Sequence, residues 1–260
     1  MKYENNVAVC FVADFKYLLK YFPQIYMQLR EKGKYEGQVL VITKLLTPTI
    51  FVKFLRKKNK ITILRFKKIK FDKSTNFNLS KLSSNPNRHN TKNFQWHKLY
   101  LFHKKIKQWK YIFYLDINMN IHHDINPIIS IKPQNSIFAR ADSFPNYNWK
   151  LKTQFDNNHK LFKKLEDEYN LEITNYFQTG ILYFDTNIVN DKTLREILLL
   201  IKKFPISITN EQGILNIYFI FEKLQYKELV ENINGKLSYF YWKNNKQEVI
   251  ISKALTEKNK

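Results

Sequence analysis

Tyr111-Ile112-Phe113-Tyr114-Leu115-Asp116-Ile117-Asn118-Met119 is the stretch that decides the fold. Residues 111–115 are apolar or aromatic without alternation, the pattern of a strand covered on both faces, as in a parallel sheet between helices. The run ends at an acid, and two residues later comes an amide. In open α/β sheets ligands collect beyond the carboxyl ends of strands. Residues two apart on extended chain project to one side, so Asp116 and Asn118 can face one ion. A carboxylate there holds a divalent metal that neutralises a diphosphate, or else it serves as a turn or cap residue.

Working outward, the same alternation recurs. Val7 to Ala13 is another unbroken apolar run. Phe15 to Lys32 follows with helical spacing (Tyr17, Leu18, Tyr21, Ile25, Leu29) and Gly33 placed to end it. Gln38 to Thr43 and Ile61 to Phe66 read as strands, with a helix between them from Pro48 to about Lys58. Residues 72 to 93, rich in Ser, Asn and Lys, read as a surface loop. A helix from Phe94 to Trp109 leads into the 111–115 strand. Further on the expected elements are a strand over Ser136 to Ala141, a helix over Asn158 to Tyr169 and a strand over Tyr176 to Phe184. Helices over Asp191 to Lys203 and Glu211 to Phe221 follow, then strands over Leu237 to Tyr241 and Val249 to Ser252. Residues 253–260 are expected to fray. Strand–helix alternation of this kind predicts an α/β fold with a mostly parallel central sheet flanked by helices. The working expectation is one domain over 1–260, with no internal repeat.

Composition sets bounds. The chain of 260 residues is 44% hydrophobic and 16% aromatic, enough for one substantial core. Its net charge of +22 favours anionic partners without choosing among them. The single Cys10 excludes an intramolecular disulfide and a Cys-rich zinc site. No apolar run reaches the roughly 18 residues of a membrane span, and none reads as a signal peptide, so the expectation is a soluble, intracellular protein.

Four separated segments carry a resemblance. They are Trp96-His97-Lys98-Leu99 leading into 111–119, Ile125-Asn126-Pro127-Ile128, Phe177-Gln178-Thr179-Gly180-Ile181-Leu182, and Asn210-Glu211-Gln212-Gly213-Ile214-Leu215-Asn216. In order and type they resemble the motifs of the glycogenin-like, family 8-type glycosyltransferases, enzymes of GT-A fold that take a nucleotide sugar and usually manganese. The resemblance implies transfer of a hexose, with retention, from a nucleoside-diphosphate sugar (UDP by default) to a hydroxyl of a glycan, protein or lipid-linked acceptor. It implies Lys98 near the donor diphosphate, Asp116 and Asn118 at the metal (manganese, or magnesium), and Asp142 and Gln178 at the donor sugar. Glu211 stands near the reacting carbon, Gln212 matches the family's Gln, and Ala13 and Asp14 fall where base and ribose are received. Glu211, Asp142 and Lys98 are the catalytic candidates.

Three departures stand out. Asn118 replaces an acid, Glu211 is a methylene longer than the family's Asp, and the family's C-terminal His-x-x-Gly-x-x-Lys is missing, with no histidine after His159. His122 and His123 lie close enough in sequence to Asp116 to stand in as ligands, or are solvated loop residues. Two other readings therefore stay open: a GT-A protein that binds nucleotide sugars with weak or no catalysis, and a basic nucleic-acid-binding protein. For the latter, Lys67-Lys68, Lys70, Lys104-Lys105 and Lys107 lie among Phe66, Phe71, Phe102 and Trp109. These rings also fall at core-facing positions, and no specific nucleic acid is expected. Glu166-Asp167-Glu168 reads as a solvated face. Tyr239 to Trp242 reads as strand packing or as a platform for an acceptor sugar. Dimerisation is left open.

Overall fold

The structure, a computed structural model, describes residues 6–48, 60–82, 94–144, 147–241 and 248–253. Its main sheet contains strands β1 (Val7–Val12), β2 (Gln38–Lys44), β3 (Ile61–Phe66), β4 (Tyr111–Leu115), β6 (Ile137–Ala141), β7 (Phe177–Asp185) and β8 (Tyr226–Glu228), in the order β3-β2-β1-β4-β7-β6-β8. The unbroken apolar runs sit at the centre, where β1 pairs in parallel with both β2 and β4. β3, β2, β1 and β4 are all parallel, and β7 runs antiparallel to β4 and β6. One hydrophobic cluster lies on each face of this sheet, so the 111–115 run divides its side chains between them: Ile112 and Tyr114 on one, Tyr111, Phe113 and Leu115 on the other. The expected class, α/β with a mostly parallel sheet flanked by helices, is the one observed.

A smaller sheet joins β5 (Met119–Ile121), β11 (Val249–Lys253), β10 (Lys236–Phe240) and β9 (Asn232–Ile233). β5 directly continues the 111–119 stretch, so the chain leaves the large sheet at Asp116 and enters the small one at Met119. The turn between them is closed by Met119 N–H donating to Asp116 O at 3.1 Å.

Several expected elements come out differently. Residues 73–81, expected as loop, form a helix (Lys73–Lys81) capped by Asp72, whose carboxylate accepts from Thr75 N at 2.8 Å. The cap satisfies a first-turn N–H and so starts a helix inside a stretch of polar composition. The helix expected over Phe94 to Trp109 is two 3-10 segments, Trp96–Phe102 and Lys104–Gln108, separated at His103. The helix expected from Asn158 is shorter, Phe162–Glu168, and residues 217–222 widen into a π-helical turn. Strands β5, β8 and β9 are too short to announce themselves by pattern. The helix expected over Pro48 to Lys58 and the fraying at 254–260 lie outside the described residues.

Among the described residues no helix is long and apolar enough to cross a membrane. Phe66, Phe102 and Trp109 are buried in the core and Phe71 is half-buried against it, so three of the four rings interleaved with the lysine clusters are not presented for base stacking. Glu166, Asp167 and Glu168 are solvated, the last two paired with Lys163 and Lys203.

Candidate active site

β7 extends past its neighbours. Its pairing with β4 stops at Ile181, and its pairing with β6 is broken by an irregularity between Ala139 and Ala141. The backbone of 177–180 is buried but has no complete ladder there, so its polar groups need other partners. Side chains of the helix Glu211–Asn216 supply them. Asn216 accepts from Phe177 N at 2.7 Å and donates to Phe177 O at 2.7 Å, and Gln212 Oε1 accepts from Thr179 N at 3.1 Å. On the other side Asp116 N donates to Gly180 O at 2.9 Å. This is the physical content of the Phe-Gln-Thr-Gly and Glu-Gln-Gly-Ile-Leu-Asn segments: each completes the other's hydrogen bonding. Gly180 is required by close approach, because a Cβ there would lie 2.5 Å from Tyr239 Oη and 2.9 Å from Met119 Cε.

The junction opens into a cavity of about 500 Å³ at the carboxyl end of β4, within the usual size for a small-molecule site. Lys98, Asp116, Asp142, Gln178, Glu211 and Gln212, from five separate places in the chain, all line it. The buried Lys98 ammonium is the hub. It lies 2.8 Å from Glu211 Oε1 and 3.2 Å from Asp116 Oδ1, and donates to Thr179 O and Oγ1, each at 3.2 Å. Burial alone would push this lysine down, but Asp116 and Glu211 outweigh it and hold the ammonium above its ordinary range. Tyr114 Oη donates to Asp116 Oδ1 at 2.5 Å, and Thr179 Oγ1 donates to Glu211 Oε1 at 3.1 Å.

Asp142 has a different environment. Its amide partners are neutral: Gln154 Nε2 at 3.3 Å and Gln212 Nε2 at 3.4 Å. Burial raises its carboxyl to about 6, against the lowering effect of hydrogen bonds from Tyr176 and Gln212. A raised folded-state value means the native protein holds this proton more tightly than the unfolded chain. The stabilisation is present below the unfolded carboxylate range near pH 4 and is lost as pH rises through 6. Asp142→Asn is therefore expected to be more stable than the parent protein at pH 7, by up to about 3 kcal/mol, and no more stable at pH 4. Thermal melts at the two pH values check this.

Other expected positions fall elsewhere. Asn118 does not line the cavity. Ala13 is buried, with its N–H on Ile42 O at 3.1 Å, and Asp14 caps the first helix, accepting from Tyr17 N at 3.0 Å; neither lines the cavity. His122 Nε2 lies 2.9 Å from Ser252 Oγ and His123 Nε2 lies 3.2 Å from Glu248, both on the small-sheet side. Among the described residues no group of three His, Cys, Asp or Glu could hold a metal ion. The cavity's three carboxylates are each engaged and form no common ligand group: Asp116 Oδ1 carries an ammonium and a phenol, Glu211 Oε1 carries the same ammonium and the Thr179 hydroxyl, and Asp142 Oδ2 carries two amides, so as a resident metal site the described donor set does not fit. Gln154, Thr179, Tyr176 and Trp149 line the cavity without having been singled out. Thr179 and Asn216 stood inside quoted motifs, whereas Gln154 sits in a 3-10 turn (Leu151–Gln154) that has no periodic signal.

No family model matches the sequence, and no curated protein matches it. Solved structures do share its fold. The galactosyltransferase LgtC, solved with donor and acceptor sugar analogs, aligns over 90% of this chain and 75% of its own at TM-score 0.59 and 14% identity. Mouse xyloside xylosyltransferase 1 in its apo form aligns over 96% and 97% at TM-score 0.53 and 10% identity. The mannosyltransferase Ktr4p of S. cerevisiae aligns over 86% and 68% at TM-score 0.53 and 12% identity. At such identities the likeness speaks for architecture, and the architecture is the GT-A fold of these glycosyltransferases.

Proposed function

We propose that this protein is a glycosyltransferase that moves a hexose from a nucleoside-diphosphate sugar, UDP-linked by default, to an acceptor hydroxyl. One observation carries the reading. The residues that the sequence resemblance singles out at separate points along the chain, Lys98, Asp116, Asp142, Gln178, Glu211 and Gln212, converge on one cavity of a GT-A fold.

In this reading the diphosphate lies at the Lys98 end, where a buried ammonium meets the charge that grows on the leaving group. The bond between the anomeric carbon and the diphosphate oxygen breaks, and its electron pair stays on the phosphate. The acceptor oxygen bonds to the anomeric carbon, and its proton passes to the departing diphosphate. Glu211, fixed by Lys98 and Thr179, faces the developing positive charge on the sugar, and Asp142 and Gln178 hold its hydroxyls. Retention of configuration is supported by the motif resemblance alone. The cation held at this end of the cavity is the Lys98 ammonium.

Donor binding is the direct test. A nucleoside-diphosphate hexose is expected to raise the melting temperature, and to do so equally after exhaustive chelation. A shift that chelation abolishes and manganese restores would reveal a metal site that the described residues do not account for. No shift from any UDP- or GDP-hexose would remove the donor reading. Binding without turnover would leave a non-catalytic sugar-nucleotide receptor.

Donor affinity is also expected to weaken below pH 6. When protonated, Asp142 loses its charge and one of its two acceptor oxygens and so holds sugar hydroxyls less strongly, and its carboxyl is pushed up to about 6. The donor KM of the parent protein should rise as pH falls from 7 to 5, and that of Asp142→Asn should be higher throughout and flat. A parent KM that is also flat would separate Asp142 from donor binding.

A further inference from the structure

The mouth of the cavity carries aromatic surface that the donor reading leaves unused. Trp149 lines the cavity. Tyr147 lies flat on it, with ring centroids 4.3 Å apart and planes 6° from parallel. The two residues are 37% and 39% exposed, whereas the groups assigned to the donor sugar, Asp142 and Gln178, are 6% and 3% exposed. Exposure thus rises from floor to mouth. Thr153 and Gln154, a few residues beyond Trp149, line the same cavity, and Gln154 donates to Asp142. One short segment therefore brings an indole, a hydroxyl and an amide to the Asp142 side of the opening.

A pyranose has the matching surface. One face presents C–H groups that pack on a ring, and its rim presents hydroxyls for side-chain amides and alcohols. With Tyr147 behind it, Trp149 is held flat, so little ring freedom is lost on binding. A peptide acceptor would instead draw on backbone hydrogen bonding along an exposed strand edge, and the mouth offers rings and side chains.

We propose that Trp149, backed by Tyr147 and flanked by Thr153, is the acceptor subsite, and that the acceptor is a saccharide rather than a protein hydroxyl. This rests on the donor reading above and extends it to the second substrate. The diphosphate and donor sugar occupy the buried floor, so the attacking hydroxyl arrives through the mouth, across the indole.

Initial rates with a saturating donor test it, using a panel of mono- and disaccharides and of Ser/Thr peptides as acceptors. Saccharides are expected to accelerate release of the nucleoside diphosphate and peptides are not. Trp149→Ala is expected to raise the saccharide KM about tenfold or more, with the donor KM changed less than about twofold, and Trp149→Phe to recover most of the loss. A donor KM that rises in step would assign the ring to the donor and overturn the proposal. So would an unchanged acceptor KM, or a preference for peptides. If Trp149→Ala does not fold, Tyr147→Ala, whose ring lies outside the cavity lining, gives the same split. Donor hydrolysis that no saccharide accelerates would defeat the acceptor proposal alone, whereas absence of hydrolysis with every donor would defeat the donor reading beneath it.

Discussion

Lys98→Met is expected to destabilise the protein by about 3–5 kcal/mol at pH 7 and to lower transfer at least about 100-fold. The lysine separates two carboxylates. Its ammonium lies 2.8 Å from one oxygen of Glu211, which is almost fully buried, and 3.2 Å from one oxygen of Asp116. Methionine fills the volume but leaves both acids facing each other in a poorly solvated cavity, and removing one partner of a buried pair is far worse than removing both. The stranded Glu211 would then take up a proton in the folded state more readily than when unfolded, so the variant should regain stability as pH falls from 7 to 5. Combining Lys98→Met with Glu211→Gln should restore most of the lost stability at pH 7 and none of the activity. Chemical denaturation at both pH values, with rates measured alongside, tells the structural role from the chemical one. A single variant as stable as the parent at pH 7 would mean that the carboxylates are not held by this lysine.

Asn216→Ala is expected to be the next most damaging change, although the residue does not line the cavity. Its amide clamps the backbone of Phe177 from both sides and also donates to Gln212 O at 2.9 Å, and it is fully buried. Alanine leaves a buried N–H and a buried C=O without partners, at about 1–3 kcal/mol each. Asn216→Asp keeps an acceptor for Phe177 N but sets an oxygen against Phe177 O, so it is expected to fail as well. The same clamp anchors the last residue of the Glu211–Asn216 helix to β7, and the expectation is that losing it shifts Glu211 and Gln212, one turn earlier, against Thr179. The predicted signature is lost stability together with reduced turnover in whatever fraction remains folded. Stability lost with turnover per folded molecule intact would show that the helix start is fixed by other contacts. Asn210, just before the helix, offers one: it holds a left-handed φ of +58° and its amide donates to Gln95.

The central architecture was legible because burial on two faces leaves a plain trace. The runs at 7–13 and 111–115 have no polar alternation, and they became the middle of the parallel sheet. The site was legible where a side chain had to meet a buried backbone. Gly180 has no room for a Cβ, and Gln212 and Asn216 complete the hydrogen bonds of a strand that outruns its neighbours. Spacing could not tell which polar residues turn inward. Asn118 follows Asp116 at the strand period, but the chain turns at Asp116 into a different sheet, so the period-two argument lapses there. Asp14 sits at the end of a central strand and is occupied in capping a helix. Gln154 and Trp149 reach the cavity from an irregular segment, where neither the 3.6- nor the 2-residue period applies.

Release of nucleoside diphosphate from a panel of UDP- and GDP-hexoses, with and without saccharide, tests the account most directly, comparing the parent protein with the Lys98→Met, Glu211→Gln double variant. The account predicts that one donor is turned over by the parent, faster with a saccharide present, and that the folded double variant is slower by at least about 100-fold. Equal rates for the two proteins, or no release and no binding with any donor, would contradict it.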